Sequence, residues 1–525
     1  MAVTSAGADI VLLNPKFELS FWGMERSLFL IRKKANTPTA ALPLLAALTP
    51  PEHRITLIDE AVEPIDYERC ARADIVGLTG MMPQRRRMRE ILKKLRQAGV
   101  RHIVVGGPWV TVKEGDFDGL ADTIFIGEAE ETWPQFLADW ARGEPKARYE
   151  QAGKTDMSQV PAPRFDLLKM DSYTFGSLQL SRGCPFQCEF CDIIVVFGRR
   201  PRIKTADQVI AELEGLRRHN MRQAFIVDDN LIGNKGAIKP ILRRIIAWQE
   251  QHGYPITFMA EASLDLADDP ELIALMAEAN ISSVFIGLES TNEASLIETR
   301  KLQNVRPGGT MLEKVHRIQD AGIEVTSGMI AGFDSDEEGV FDDQQAFLAK
   351  SRIALSMMGM LVAIPKTPLY ERLEASGRLD LTDPPKHGTN VLPLKMTRER
   401  LSAGYVSVVN RLYEPDAYFD RLDDLYLRGR ALLHRGWFAY AARHPWRRRA
   451  RHLRFWVDSL GMMLSLSLLV RDPALRSVYY RRIVRYLRTR PSAPMLRYYL
   501  FKCTAHYHFQ HVARSMTSGG IVNSF

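Results

Sequence analysis

Ser181-Arg-Gly-Cys184-Pro-Phe-Gln-Cys188-Glu-Phe-Cys191-Asp192 puts three of the chain's five cysteines at C-x3-C-x2-C spacing. Thiolates this close together wrap a short loop around soft metal, and iron–sulfur clusters are held in this way. A four-iron cluster has four corners, so three cysteines leave one iron open to chelate a small molecule. Zinc is the alternative, but a structural zinc wants four ligands. The next cysteines, Cys70 and Cys503, are distant in sequence. The loop directly follows a strand-like run, residues 177–180, and that run opens a long alternating series.

Candidate strands of the series are 177–180, 224–227, 257–259, 283–286, 324–330 and 357–363, with helical stretches such as 206–218 and 239–251 between them. Six βα units suit a partial barrel with its chemistry at the C-terminal strand ends. Periodicity alone leaves another open α/β sheet as an alternative. Upstream, apolar runs at 10–13, 55–58, 75–79, 102–105 and 123–126 alternate with helices such as 84–98. Such strands, buried on both faces, predict a parallel, doubly wound, Rossmann-like sheet. The expected division is therefore an α/β domain over 1–145, a Pro- and Gly-bearing linker over 146–172, a partial (βα)6 barrel over 173–380, and a helical region over 381–525.

With 525 residues, 46% hydrophobic and 25% charged, the composition excludes disorder, collagen and a polytopic membrane protein. Five cysteines cannot make a secreted disulfide framework, which predicts a reducing, cytoplasmic compartment. The start, Met1 to Leu13, has no basic segment ahead of its apolar run, so no signal peptide is expected. The net charge of +8 hides an asymmetry: residues 421–525 hold 20 Lys+Arg against 4 Asp+Glu, and 16 of the 47 aromatics. A basic, aromatic terminal segment on a mildly acidic body predicts an anionic partner, a membrane surface or a nucleic acid. Residues 459–470 are uncharged but too few to span a bilayer. Arg481, Arg482, Arg485 and Arg488 recur at helical spacing with Ile483, Val484 and Leu487 between them. That pattern fits an interfacial helix or a solvated basic face.

The cysteine loop, placed after the first strand of a βα series, resembles the radical S-adenosylmethionine (SAM) enzymes. The resemblance implies that Cys184, Cys188 and Cys191 hold a [4Fe-4S] cluster whose open iron binds SAM, and that the reduced cluster cleaves SAM to a radical. It also implies a place beside the adenine for Phe190, and polar contacts to SAM from Asp228 and Asp229 after the second strand, Glu261 after the third and Glu289 after the fourth. Gly328 and Gly332 match the glycine-rich fifth strand. Read without the resemblance, these short matches are turn and helix-cap chemistry.

The first domain resembles the cobalamin-binding modules that precede such barrels. Its matching turns are Thr79-Gly80-Met81, Gly106-Gly107-Pro108 and Gly127-Glu128-Ala-Glu130. The D-x-H-x-x-G signature, whose histidine ligates cobalt from below, is absent, as it is in many radical SAM members. Gly80-Met-Met-Pro-Gln-Arg85, Gly198-Arg-Arg-Pro-Arg-Ile-Lys204, Phe225-Ile-Val-Asp-Asp-Asn-Leu-Ile-Gly-Asn234 and Pro365-Lys-Thr-Pro-Leu369 further resemble the hopanoid C-2 methylase group. The basic tail from about Ala431 is where departure from that group is expected. The implied reaction is methylation of an unactivated carbon through methylcobalamin, on a lipid or isoprenoid-like substrate. A flavodoxin or ferredoxin would donate electrons, and the basic tail would touch the inner face of the membrane rather than nucleic acid.

Rival readings are an oxidising or cyclising enzyme like the anaerobic porphyrin cyclases, a tRNA-modifying methylthiotransferase, and a cluster-bearing binding protein. The tRNA family carries a second three-cysteine cluster, whereas only Cys70 lies upstream here. Cys70 reads as a buried thiol. Cys503 with His506, His508 and His511 reads as a polar face near phosphates sooner than a metal site. The 14–22 segment either lines the cofactor cleft or merely packs. No P-loop, H-E-x-x-H or G-x-S-x-G occurs, so phosphoryl transfer and ordinary hydrolysis find no support.

Overall fold

The structure, a computed structural model, describes residues 7–427, 434–489, 492–517, 520 and 523. The expectations placed on Met1 and on a tail beginning at Ala431 start outside the described residues. Apolar β-branched runs make the first strands: β1 (Asp9–Asn14), β2 (Arg54–Asp59), β3 (Ile75–Thr79), β4 (Ile103–Gly106), β5 (Thr123–Ile126) and β6 (Arg148–Glu150). They form one parallel sheet in the order β2-β1-β3-β4-β5-β6. The order reverses between β1 and β3, so a crevice opens there at the carboxyl ends. Two buried clusters cover its two faces, as a doubly wound sheet requires.

The expected linker over 146–172 is corrected by β6, which pairs in parallel with β5. Only Tyr149 of its three residues is buried, stacked 5.5 Å from Phe125, and so short a strand leaves no readable period.

The second sheet begins with β7 (Gly176–Leu178). A short antiparallel pair, β8 (Ser181–Arg182) and β9 (Arg202–Ile203), frames the cysteine loop. The series continues with β10 (Gln223–Ile226), β11 (Thr257–Glu261), β12 (Ile281–Glu289), β13 (Glu324–Ala331) and β14 (Ser356–Met360). β7 and β10 to β14 run in parallel in sequence order, the open partial barrel that the six βα units predict. The helix Ala206–Arg218 starts at a capping box in which Thr205 and Gln208 satisfy each other's backbone.

From Arg398 the described chain is mainly helical. Its last helix, Ala493–Thr517, is buried along most of its length and packs on the helices Arg398–Leu412, Pro445–Leu469 and Pro473–Thr489. Lys502 Nζ reaches Glu324 Oε1 at the start of β13, at 2.7 Å, which ties this helix to the barrel. The basic face expected on 481–488 is corrected in part. Arg482 pairs with Asp416, Asp420 and Asp423 of the helix Pro415–Tyr426, Arg485 pairs with Asp423, and Ile483 is buried. The acidic partners lie 59 to 66 residues upstream, beyond any local pattern. No described helix is long and apolar enough to cross a membrane.

Candidate active site

The cysteine loop is fixed by carboxylates at the end of β10. The N–H of Leu180 and the hydroxyl of Ser181 donate to Asp228, at 2.7 and 2.6 Å, and the N–H of Gly183 donates to Asp229 at 2.7 Å. Gly183 has φ +92°, and a Cβ there would sit 2.9 Å from the carbonyl oxygens of Gly198 and Arg200. Only glycine lets the loop lie this close to its neighbour. Asn230 Nδ2 donates to Cys184 Sγ at 3.9 Å and Gln303 Nε2 to Cys188 Sγ at 3.6 Å. Burial pushes the thiols of Cys184 and Cys191 up, and neighbouring acids push Cys191 further. Metal binding therefore has to displace protons from them.

Around the loop the charges are acidic. Burial raises Asp228 to about 6, Asp229 to about 7 and Glu261 to about 8, and mutual repulsion adds to the last two. Lys301, which no sequence spacing singled out, pairs with Glu289 at 2.8 Å and lies 6.0 Å from the Phe190 ring. Glu289 Oε2, Gln303 Oε1 and Asn304 Oδ1 are buried with no hydrogen-bond donor. Unsatisfied buried acceptors point to a missing donor. A cationic ligand with an amino group and a sulfonium fits them, and it would lie beside three thiols that leave one corner of a cluster open.

Phe190 packs against Phe333, with ring centroids 6.1 Å apart. Gly328 and Gly332 both lie buried at β13, and Gly332 leaves room for Leu401, since a Cβ would approach it to 2.8 Å. That glycine serves the contact with the C-terminal helices.

A cavity of about 1740 Å³ joins the crevice of the first sheet to the mouth of the barrel. Few small ligands need so much, since drug-sized sites run to about 300–1,000 Å³. All three expected turns line it: Thr79-Gly80-Met81, Gly106-Gly107-Pro108 and Gly127-Glu128. Gly107 has φ +107°, and a Cβ would lie 2.4 Å from Thr79 Oγ1 and 3.0 Å from the Gly80 nitrogen. These bare turns form a cradle in which a large planar ligand can rest on backbone. Asp229 and Glu261 line the barrel side, whereas Asp228 is fully engaged by the loop.

Glu128 lines the cavity and is also engaged within the chain. Its carboxylate accepts from Arg182 and Arg202 of the barrel and from the Thr155 N–H, and Glu130 also pairs with Arg182. It fastens the two sheets together. The 14–22 segment lines the cavity, and Trp22 meets Phe285 edge-on at 5.0 Å.

The C-terminal histidines are corrected as well. His506 lies between the Tyr479 hydroxyl and the Tyr413 carbonyl, while His508 bonds the Ser20 carbonyl and the Arg26 N–H. Both are buried, as is Cys503, so they face protein and not phosphates. Among the described residues no group of three His, Cys, Asp or Glu encloses a single-ion site. Cys70 is buried, as expected, with its thiol pushed up to about 11.

A family model described as the radical SAM superfamily matches residues 178–342, and a domain of unknown function (DUF4070) matches 367–520. The region expected to depart from its relatives thus matches a domain known in its own right. An uncharacterized methyltransferase of Synechocystis is 38% identical over 416 residues, 78% of this chain and 77% of that protein. The hopanoid C-2 methylase of Rhodopseudomonas palustris is 32% identical over 420 residues, 79% and 78% of the two chains. Among solved structures, the cobalamin-dependent SAM radical enzyme OxsB superposes with a TM-score of 0.60 at 15% identity, covering 99% of this chain and 82% of that one. The radical SAM methyltransferase TsrM of Kitasatospora setae gives 0.56 at 16% identity, over 70% and 75%. These two likenesses show the fold. With the identity and coverage of the first two relatives, the cysteine loop, barrel and preceding sheet establish that the chain belongs to the cobalamin-binding radical SAM enzymes, among the methyltransferases related to the hopanoid C-2 methylase.

Proposed function

We propose that this methyltransferase acts on an unactivated carbon of a lipid or isoprenoid-like substrate. The observation that carries this reading is the aromatic and apolar lining, with Trp22, Phe225 and Met259, of the cavity shared by the glycine turns and the acidic barrel mouth. When bound, the cluster, SAM and cobalamin supply one-electron chemistry and a transferable methyl group. The remaining work falls to this chain's own residues. Cys184, Cys188 and Cys191 would hold the cluster, with Asn230 and Gln303 donating to two of the sulfurs. Asp229, Glu261 and Glu289 would orient the cationic ligand, and Lys301 limits the negative charge they build up. The turns after β3, β4 and β5 would let the corrinoid approach backbone, and the apolar lining would keep water from the radical. A flavodoxin- or ferredoxin-class protein would supply electrons in the cytoplasm.

The test is anaerobic. The protein is reconstituted with iron, sulfide and hydroxocobalamin and given SAM, reductant and a bacterial lipid extract. The expected products are 5′-deoxyadenosine, S-adenosylhomocysteine and a lipid heavier by one methylene, with Cys188→Ala yielding no deoxyadenosine. Deoxyadenosine with a substrate that loses hydrogen and gains no carbon would replace this reading with oxidation or cyclisation.

A further inference from the structure

The helix Pro445–Leu469 carries an apolar face that nothing in the described chain covers. Trp446, Leu453, Val457, Leu460, Leu464 and Leu468 are each between 53% and 77% exposed. From Leu453 their spacing is four, three, four and four residues, so they share one side of the helix, and Trp446 lies two turns earlier on the same side. At 1.5 Å per residue the stripe runs for roughly 33 Å. The opposite side is the one that packs inward, through Ser459, Met462 and Leu466.

Arginines flank the stripe. At 100° per residue, Arg449 projects on one side of it and Arg447 and Arg454 on the other; all three are exposed. The helix contains five arginines and a single acid, Asp458, which is engaged by Arg222 and Arg497. Tyr480 and Val484 extend the apolar surface onto the helix Pro473–Thr489, where the Tyr480 hydroxyl meets Ser467. The same surface leads toward the cavity. The long helix packs against the Leu28–Ile31 turn, whose Phe29 is exposed and whose Leu28 lines the cavity.

We infer that this face docks the protein, lying flat, on an anionic lipid bilayer. An apolar stripe flanked by arginines on both sides of its first turns matches the boundary between acyl chains and acidic headgroups. A second copy of the chain fits worse, because the face offers no free acid to meet the other copy's arginines, Asp458 being engaged by Arg222 and Arg497. The helix lies on the membrane and does not enter it, as the described helices lack a spanning segment. Docking brings the Leu28 side of the cavity next to the lipid, and this last point alone rests on the lipid-substrate reading.

The experiment is co-sedimentation of the full chain with vesicles of phosphatidylcholine alone and of phosphatidylcholine with 30% phosphatidylglycerol. The wild type is expected to pellet with the anionic vesicles and to be released by salt. Leu460→Asp with Leu464→Asp should lower the bound fraction at least tenfold, and Arg449→Glu with Arg454→Glu should abolish the preference for anionic lipid. Both variants should keep wild-type helix content, melting temperature and reconstituted iron, since all four side chains are exposed. A wild type that stays in the supernatant overturns the inference. So does a dimer in light scattering that Leu460→Asp converts to monomer, because the face would then belong to a second copy. Turnover of detergent-dispersed lipid by a protein that ignores vesicles overturns docking and leaves the substrate reading standing. Vesicle binding without lipid turnover does the reverse.

Discussion

The seam between the two sheets and the mouth of the barrel are both built from enclosed carboxylates, yet they treat them in opposite ways. In the seam, Glu128 and Glu130 meet Arg182, Arg202 and Thr155, and each acid finds its donors within the chain. At the mouth, Glu261 faces the cavity beside Asp229 and Glu289, and among the described residues no side chain donates to it. Glu289 keeps one oxygen without a partner. The difference shows that residue type does not separate a ligand site from a structural one. What separates them is whether the chain supplies the partners itself.

Glu128→Ala tests the seam and should have the largest effect. Removing the acid leaves Arg202, half-buried and otherwise held only by the Thr155 and Phe197 carbonyls, without an ion-pair partner among the described residues, which costs up to about 3 kcal/mol. Denaturant titration should show that loss, together with easier proteolysis between the sheets. A change under about 1 kcal/mol would mean that the seam is hydrated and that its charges act as exposed ones do.

Glu261→Gln tests the mouth, and its two effects should have opposite signs. The variant should bind SAM roughly 10- to 100-fold more weakly, the worth of about 1.5–3 kcal/mol for a hydrogen bond to a charged group. Its ligand-free form should be more stable than the wild type. A carboxyl raised from 4.5 to about 8 stabilises fully below pH 4.5 and loses that contribution as pH rises through 8. The variant's advantage in melting temperature should therefore widen from pH 5 to pH 8. If Glu261→Gln destabilises instead, Glu261 has a structural partner and the contrast with Glu128 falls.

The two α/β parts were legible because their signals are local. Strands buried on both faces read as unbroken apolar runs, and three cysteines within eight residues announce a metal loop. The glycine turns of the crevice were readable for the same reason. The donors that distinguish scaffold from site were not: Arg182 meets Glu128 across 54 residues, and Lys301 meets Glu289 across 12 with no helical or strand period to signal it. The C-terminal region was read least well. Its histidines and arginines look like a ligand-binding tail in one dimension, whereas contacts spanning 59 to 488 residues consume His506, His508 and Arg482. The exposed apolar and basic pattern expected on 481–488 is more extensive on the neighbouring helix, where leucines of the uncharged run 459–470 and the arginines before it are exposed.

The C-terminal histidines extend the contrast to a third case, groups that are satisfied only while neutral. Burial lowers His506 to about 3 and His508 to about 4, because no acid nearby compensates a buried imidazolium. The unfolded chain protonates these rings near pH 6.5 and the folded one does not, so their contribution is intact above pH 6.5 and erodes as pH falls. Each ring should cost about 1.4 kcal/mol per pH unit below that point. The raised carboxyls of the mouth gain stability over part of the same range, so the wild-type curve alone mixes the two. The difference between wild type and His506→Gln separates them. Glutamine cannot take up the proton, so the variant should be the less stable protein at pH 7.5, and the gap should close by about one histidine's slope as pH falls to 5. A gap that stays constant with pH would mean that His506 titrates alike in the folded and unfolded chain, and a gap that widens as pH falls would mean that an acid holds it charged across the helix interface.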